Sequence, residues 1–179
     1  EKDGIRTEAH EPALMKDPHL IIYHPVREAG NGLIVTNGDQ TDTIRDFMER
    51  GETLEQALRT REFEPDAPNL TPRISGVIEM KDGNFDYEMS ILKSADAEGS
   101  ACNRYTFSYP ALNGLGHFIH TYQENLDPLP SFEGEPRKVA IGNADAKTWA
   151  EETWTNLNAD NKVSLFVRTI DLATGETDT

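Results

Sequence analysis

Leu20-Ile-Ile-Tyr-His-Pro-Val-Arg27 and, after a short gap, Gly32-Leu-Ile-Val-Thr-Asn-Gly-Asp-Gln-Thr-Asp-Thr-Ile44 are the segments on which the reading of the fold turns. Two apolar, β-branched runs flank Gly30-Asn31-Gly32, a tight-turn composition, so the pair reads as a β-hairpin with strands over 19–26 and 32–36. The second run ends in a cluster of side-chain donors and acceptors, Thr36, Asn37, Asp39, Gln40 and Thr41, which feeds a helix. Tyr23, at the heart of the first run, would carry a hydroxyl into the same neighbourhood. A polar cluster at the mouth of a sheet, opening a helix, is a common way to build a small-molecule site.

Working outward, alternation and β-branched runs predict further strands at 4–9, 73–80, 85–93, 103–109, 116–122, 137–142 and 162–171. Helix signals are fewer. Asp39 to Arg50 places Ile44, Phe47 and Met48 at helical spacing and stops at Gly51. Thr53 to Phe63 starts with a capping-box pair, Thr53 and Gln56, ahead of Leu54, Ala57 and Leu58. Asp145 to Asn156 carries Trp149, Thr153 and Trp154 on one face, with Glu151 and Glu152 outward. Lys81-Asp82-Gly83-Asn84 is a hairpin turn, and Thr174-Gly175 closes the last strand. The proline-rich passage from Asp127 to Pro136 reads as an ordered loop. Strands and helices do not alternate as βαβ units would, so the pattern favours an α+β domain with mainly antiparallel sheets.

Composition narrows the function classes. A chain of 179 residues with 36% hydrophobic content reads as one domain over 1–179, large enough to bury a real core. No apolar run approaches the ~20 residues that span a bilayer, and no signal-peptide series opens the chain. The lone Cys102 excludes an internal disulfide and a multi-cysteine metal site; it reads as a packing residue, and a cytoplasmic location follows. The formal charge of −15, from 32 acids against 17 bases, lacks the basic field that nucleic acid requires. A small phosphorylated ligand stays compatible, since a few arginines and backbone amides suffice to hold it.

The Thr-Asn-Gly-x-x-Thr-Asp pattern at 36–42 and three further segments resemble the archaeal-type IMP cyclohydrolase family. The segments are Thr71-Pro-Arg-Ile-Ser-Gly-Val77, Asn103-Arg-Tyr-Thr-Phe107 and Gly116-His-Phe-Ile-His-Thr-Tyr122, the last followed by Asp127-Pro-Leu-Pro-Ser-Phe-Glu-Gly-Glu-Pro136. The part from Gly116 onward looks like the family's bacterial branch, and the similarity runs in order over most of the chain. The resemblance implies a four-layer αββα sandwich of the N-terminal-nucleophile (Ntn) hydrolase type, here reused without the self-processing nucleophile, a role for which Glu1 is the wrong residue. It implies ring closure of the formamido-imidazole-carboxamide ribonucleotide (FAICAR) to IMP and water, with no cofactor and no metal. It is compatible with a homo-oligomer. Two rivals stay open: a purine-nucleotide-binding protein without catalysis, and an amide hydrolase on the same fold. Family members carry about one further hairpin ahead of the position of Glu1, with a Ser-, Asn- and Arg-rich segment that contributes to the nucleotide site. The expectation is that those first strands are missing from this chain or supplied from elsewhere.

Site residues follow from the same match. Tyr23 corresponds to the strand tyrosine of the family's site, an acid or hydrogen-bond donor at the reacting carbonyl; without the resemblance it would read as a core aromatic. Glu64 matches the catalytic glutamate, with Glu62 and Asp66 as alternatives. Arg73 is either an ion pair for Glu64 or a fork directed at the ligand. Asn37, Gly38, Asp39 and Thr41 resemble the nucleotide-contacting turn, although Asp39 or Thr41 would equally serve as a helix N-cap. Arg104 is a candidate phosphate contact. His117 and His120 with Glu133 and Glu135 invite a metal reading, but histidines three apart on a strand face opposite sides, so no metal is expected.

Overall fold

The computed structural model describes residues 4–14 and 18–179, and Glu1 lies outside the described residues. One antiparallel sheet of six strands, in the sequential order β1 to β6, dominates the chain. Its strands are β1 (Gly4–Ile5), β2 (Val26–Ala29), β3 (Gly32–Asn37), β4 (Arg73–Lys81), β5 (Asn84–Ser94) and β6 (Cys102–Pro110). Two two-stranded ribbons accompany it: β7 (Leu115–Phe118) with β8 (Arg137–Ala140), and β9 (Thr169–Ile170) with β10 (Thr177–Asp178). The helices are α1 (Pro18–Ile21), α2 (Gln40–Glu49), α3 (Leu54–Leu58) and α4 (Ala146–Asn156). The architecture is α+β and antiparallel, as the sequence pattern indicates.

Strand alternation shows which face the core occupies. Along β4, Arg73, Ser75 and Val77 are buried while Ile74, Gly76 and Ile78 are half-buried. Val77 joins Ala29, Ile34 and Leu92 from neighbouring strands, and Ile44 of α2 with Leu54, Ala57 and Leu58 of α3 close over them. Phe47, Met48 and Cys102 pack against this cluster, so the lone cysteine is a packing residue. Spacings of three and four put Ile44, Phe47 and Met48 on one side of α2, which is why that helix lies flat on the sheet. The Thr53–Gln56 capping box forms in full at the start of α3. That helix ends at Leu58, short of the expected Phe63: the Thr60 hydroxyl donates to the Ala57 carbonyl at 2.7 Å, and Arg61 N–H bonds back only three residues, to Leu58.

Several expected strands are shorter or absent. Leu20 to Tyr23 is not strand. Pro18 opens a helical turn, where its fixed φ and missing N–H cost nothing, and ladder pairing begins only after Pro25, at Val26↔Val35. Tyr23 therefore sits between α1 and β2, tied to the edge through Thr7, whose N–H donates to the Tyr23 carbonyl at 2.9 Å. The two-residue turn Gly30–Asn31 is as expected, with Gly30 at φ +58. The 116–122 run is strand only to Phe118, because Thr121 and Tyr122 are drawn to other partners described below. In the 162–171 run only Thr169–Ile170 pairs, and Thr174–Gly175 leads into a further strand, β10, rather than ending the last one. The Asp127–Pro136 passage is an ordered loop anchored by the buried Phe132.

Candidate active site

The site is built where β3 ends. Thr36, the last residue of that strand to face α2, donates its hydroxyl to the Gly38 carbonyl at 3.0 Å and meets the hydroxyl of Thr41. Between them the backbone turns through Gly38 at φ +116, a value disfavoured for any side chain. Gln40, fully buried, locks the turn to β4: its amide nitrogen donates to the carbonyls of Asn37 at 3.1 Å and Ile74 at 3.0 Å and to Ser75 Oγ at 3.2 Å.

Asp39 occupies the N-cap position of α2 yet makes no capping hydrogen bond with its side chain. Its carboxylate instead accepts from Arg73 Nη1 at 2.5 Å and from Arg61 Nη2. These arginines hold the Asp39 carboxyl below the usual range against the desolvation that acts the other way. Asp39 thus holds the N-cap position without capping through its side chain, because two guanidinium groups are stronger partners for a carboxylate than one backbone amide. Arg73 is buried, donates through Nε to the Glu62 carbonyl at 2.9 Å, and stands 3.6 Å from Glu64 Oε1 through Nη1.

Geometry separates the three candidate acids. Glu62 is exposed and reaches toward Arg104 at 3.7 Å. Asp66 closes its own loop, accepting from the Thr71 N–H at 2.6 Å. Only Glu64 is buried, at 9% exposure, and turned toward Arg73. Burial raises its pKa above the ordinary carboxylate value; Arg73 opposes this, while Asp66 and Asp39 add to it. The fold therefore favours the protonated form of Glu64. Its contribution to stability is complete below the ordinary carboxylate pKa and is lost as pH rises through the raised folded value. Glu64→Gln should lack that loss, so in urea titrations from acid to neutral pH the variant gains in midpoint relative to the parent.

Tyr23 reaches the same place from the other side. Its hydroxyl donates to Asn37 Oδ1 at 3.1 Å, and Asn37 Nδ2 donates to Thr121 Oγ1 at 2.9 Å. Burial pushes the phenol pKa up, opposed by a Gly38 backbone hydrogen bond; Glu64 raises it further and Arg73 lowers it. Tyr23 is thus a protonated donor at neutral pH, within the electrostatic reach of both. Tyr122, from the same segment as Thr121, shares a 2.6 Å hydrogen bond with Thr71 Oγ1.

The structure therefore brings together Tyr23, Asn37, Gly38, Asp39, Glu64 and Arg73, with Thr41 buried beneath them as a hydroxyl brace. Arg104 is set apart. It lies across β5 from Arg73, through Leu92, and its guanidinium donates to the carbonyls of Leu58, Cys102 and Arg61 at 2.8–3.2 Å, pinning the α3 loop to the sheet. Arg61, Thr121 and the locking role of Gln40 were not legible beforehand; only the density of polar residues after β3 hinted at Gln40. The two histidines part: His117 Nδ1 meets the Tyr87 hydroxyl at 2.5 Å and its ring stacks on Tyr109, whereas His120 packs on Phe132. Among the described residues no three His, Cys, Asp or Glu side chains cluster as metal ligands.

Gly38 is the point on which the cluster converges. A Cβ built there would lie 2.5 Å from Gln40 Oε1, 2.9 Å from Arg73 Nη1 and 3.1 Å from Glu64 Oε1. Gly38→Ala should cost roughly 1–3 kcal/mol of stability through strained backbone and displaced side chains, read as a lower melting temperature.

On the sheet face away from α2, beyond Asn37, an open cavity of about 860 Å³ is bounded by Val35, Ile74, Met89, Leu115, His117 and Ile119. Its volume lies within the range of small-molecule sites. The fold is α+β, with a buried carboxylate, a buried arginine and a protonated phenol gathered around one glycine turn, and Asn37 of that turn lines the apolar cavity. The chain belongs to the family of IMP cyclohydrolase-like proteins, whose family model matches residues 1–176. It is 29% identical over 154 residues to an IMP cyclohydrolase of Methanopyrus kandleri, a match covering 79% of this chain and 76% of that protein.

Proposed function

We propose that this chain closes FAICAR to IMP with release of water, acting in purine nucleotide biosynthesis in the cytoplasm. The observation that carries the reading is the convergence of Tyr23, Glu64 and Arg73 on the Gly38 turn, whose Asn37 lines an apolar cavity, in a member of the IMP cyclohydrolase-like family that is similar to a cyclohydrolase.

The reaction joins two groups of one molecule. The carboxamide nitrogen attacks the formyl carbon and gives up a proton, the formyl oxygen departs as water, and the formamide nitrogen loses its proton as the new C=N bond forms. Holding the two arms in a reactive pose supplies several kcal/mol. The reacting arms of the nucleotide lie at the Gly38 turn, and the rest of the ligand extends past Asn37 toward the cavity. Tyr23 donates to the formyl oxygen, the group on which negative charge develops, and Glu64 takes the proton from the attacking nitrogen. The fold's preference for protonated Glu64 suits an acceptor whose conjugate acid can return that proton to the leaving oxygen. Asn37, Gly38, Asp39 and Arg73 bind and position the nucleotide, with Thr41 bracing the turn; Arg104 acts through the α3 loop rather than at the ligand.

The Ntn-type αββα sandwich belongs to the same reading. It is supported by α2 and α3 covering one face of the large sheet and by the β7–β8 ribbon meeting the other through His117, Tyr87 and Tyr109. No described helix is long and apolar enough to cross a membrane.

The test is incubation with FAICAR while the hypoxanthine absorbance of IMP is followed. Saturable turnover is the expected result. Calorimetric binding of IMP without turnover would replace catalysis by binding, and an absence of both would overturn the assignment.

A further inference from the structure

At one edge of the large sheet β1 is described over Gly4–Ile5. At the other, β6 runs for nine residues, and its register with β5 is unbroken from Asp86↔Pro110 to Ser94↔Cys102, so no bulge bends it away. Beyond β5, no strand among the described residues pairs with it. Asn103 to Thr106 is a continuous exposed stretch. The usual protections of an edge are missing: its one charge, Arg104, is folded back onto the carbonyls of Leu58 and Arg61, and its only proline, Pro110, is terminal.

We propose that β6 pairs antiparallel with β6 of a second copy of this chain, joining two sheets across a two-fold axis at Thr106. A single register pairs all nine residues, and it is self-complementary. Thr106 meets its own counterpart, Tyr105 meets Phe107 of the other copy as an aromatic cross-strand pair, and Cys102 meets Pro110. Arg104 lands opposite Ser108, so no like charges face each other. Within β6, Arg104 is the one ionised side chain.

The experiment is sedimentation equilibrium and mild oxidation at micromolar concentration, which needs no activity and stands independently of the proposed reaction. The parent should sediment at twice the chain mass. Thr106→Glu sets two carboxylates face to face on the axis at an exposed position and should give the monomer with an unchanged circular dichroism spectrum. Thr106→Cys in a Cys102→Ser background should cross-link quantitatively, because opposed residues of an antiparallel pair stand about 4.5–5.5 Å apart at Cα, within disulfide reach. The Cys102→Ser chain alone should not. A monomeric parent, or a dimer that ignores Thr106→Glu and fails to cross-link through residue 106, would overturn the proposal.

Discussion

Glu64→Gln lowers the rate of FAICAR closure by roughly 10²–10⁴-fold, the scale of a positioned proton-transfer group, while leaving the affinity for IMP within a few-fold. The carboxylate is buried, points at the Gly38 turn and lies 3.6 Å from Arg73. Glutamine keeps its volume and can keep an oxygen toward the guanidinium, so binding geometry persists while proton exchange stops. Tyr23→Phe removes the donor on the opposite side, together with its hydrogen bond to Asn37, and should lower the rate by at least about tenfold by the same argument. Since both groups serve one transition state, the double variant should fall less than the product of the two effects. Single-turnover absorbance traces give the rates and calorimetry with IMP gives the affinity. If each variant stays within about twofold of the parent, proton handling lies elsewhere and the catalytic assignment fails.

Arg73→Met is the substitution with the largest expected effect on stability, a loss of about 3 kcal/mol or more. Arg73 is 6% exposed and makes three attachments: Nε to the Glu62 carbonyl, and Nη1 to Asp39 at 2.5 Å and toward Glu64 at 3.6 Å. Methionine fills much of the stem's volume but leaves a buried carboxylate facing no cation and a backbone carbonyl without its donor. Asp39 keeps Arg61, which limits the damage to the Glu64 side. For a chain of this size the loss corresponds to a melting temperature lower by roughly 6–12 °C.

The sign of the pH dependence distinguishes this account from simple loss of packing. Arg73 restrains the rise of the Glu64 pKa, so removing it raises that pKa further and makes the ionised form costlier. The deficit should therefore be largest at neutral pH and narrow as acid neutralises Glu64. Asp39 works oppositely: its depressed carboxyl supports the fold above the ordinary carboxylate range, and that support is lost as pH falls through its folded value. Urea midpoints of both proteins across the acid-to-neutral range would show a converging pair of curves. A deficit independent of pH would mean that Arg73 acts through volume alone.

Local chemistry was enough to place most of the large sheet, the Gly30–Asn31 turn, α2 with its Ile44, Phe47 and Met48 face, and the capping box of α3. Each depends on residues within a few positions of one another, where side-chain period and turn preference act directly. The polar turn from Thr36 to Thr41 was legible in the same way, and the family was legible through the resemblance of its motifs. Tertiary structure decided the rest. Leu20 to Tyr23 has the composition of a strand, but the prolines on either side and the position of Thr7 make it a helical turn and a crossing segment that delivers Tyr23 to Asn37. Asp39 gave up its cap for Arg61 and Arg73, residues more than twenty positions away, and only burial singled out Glu64 from Glu62 and Asp66. Arg104 and Arg73 begin similar strands, yet sheet register puts one among backbone carbonyls and the other among carboxylates. A strand's pattern states which face is buried; what a side chain meets on that face depends on which distant segment the register sets beside it, and that is a property of the assembled sheet.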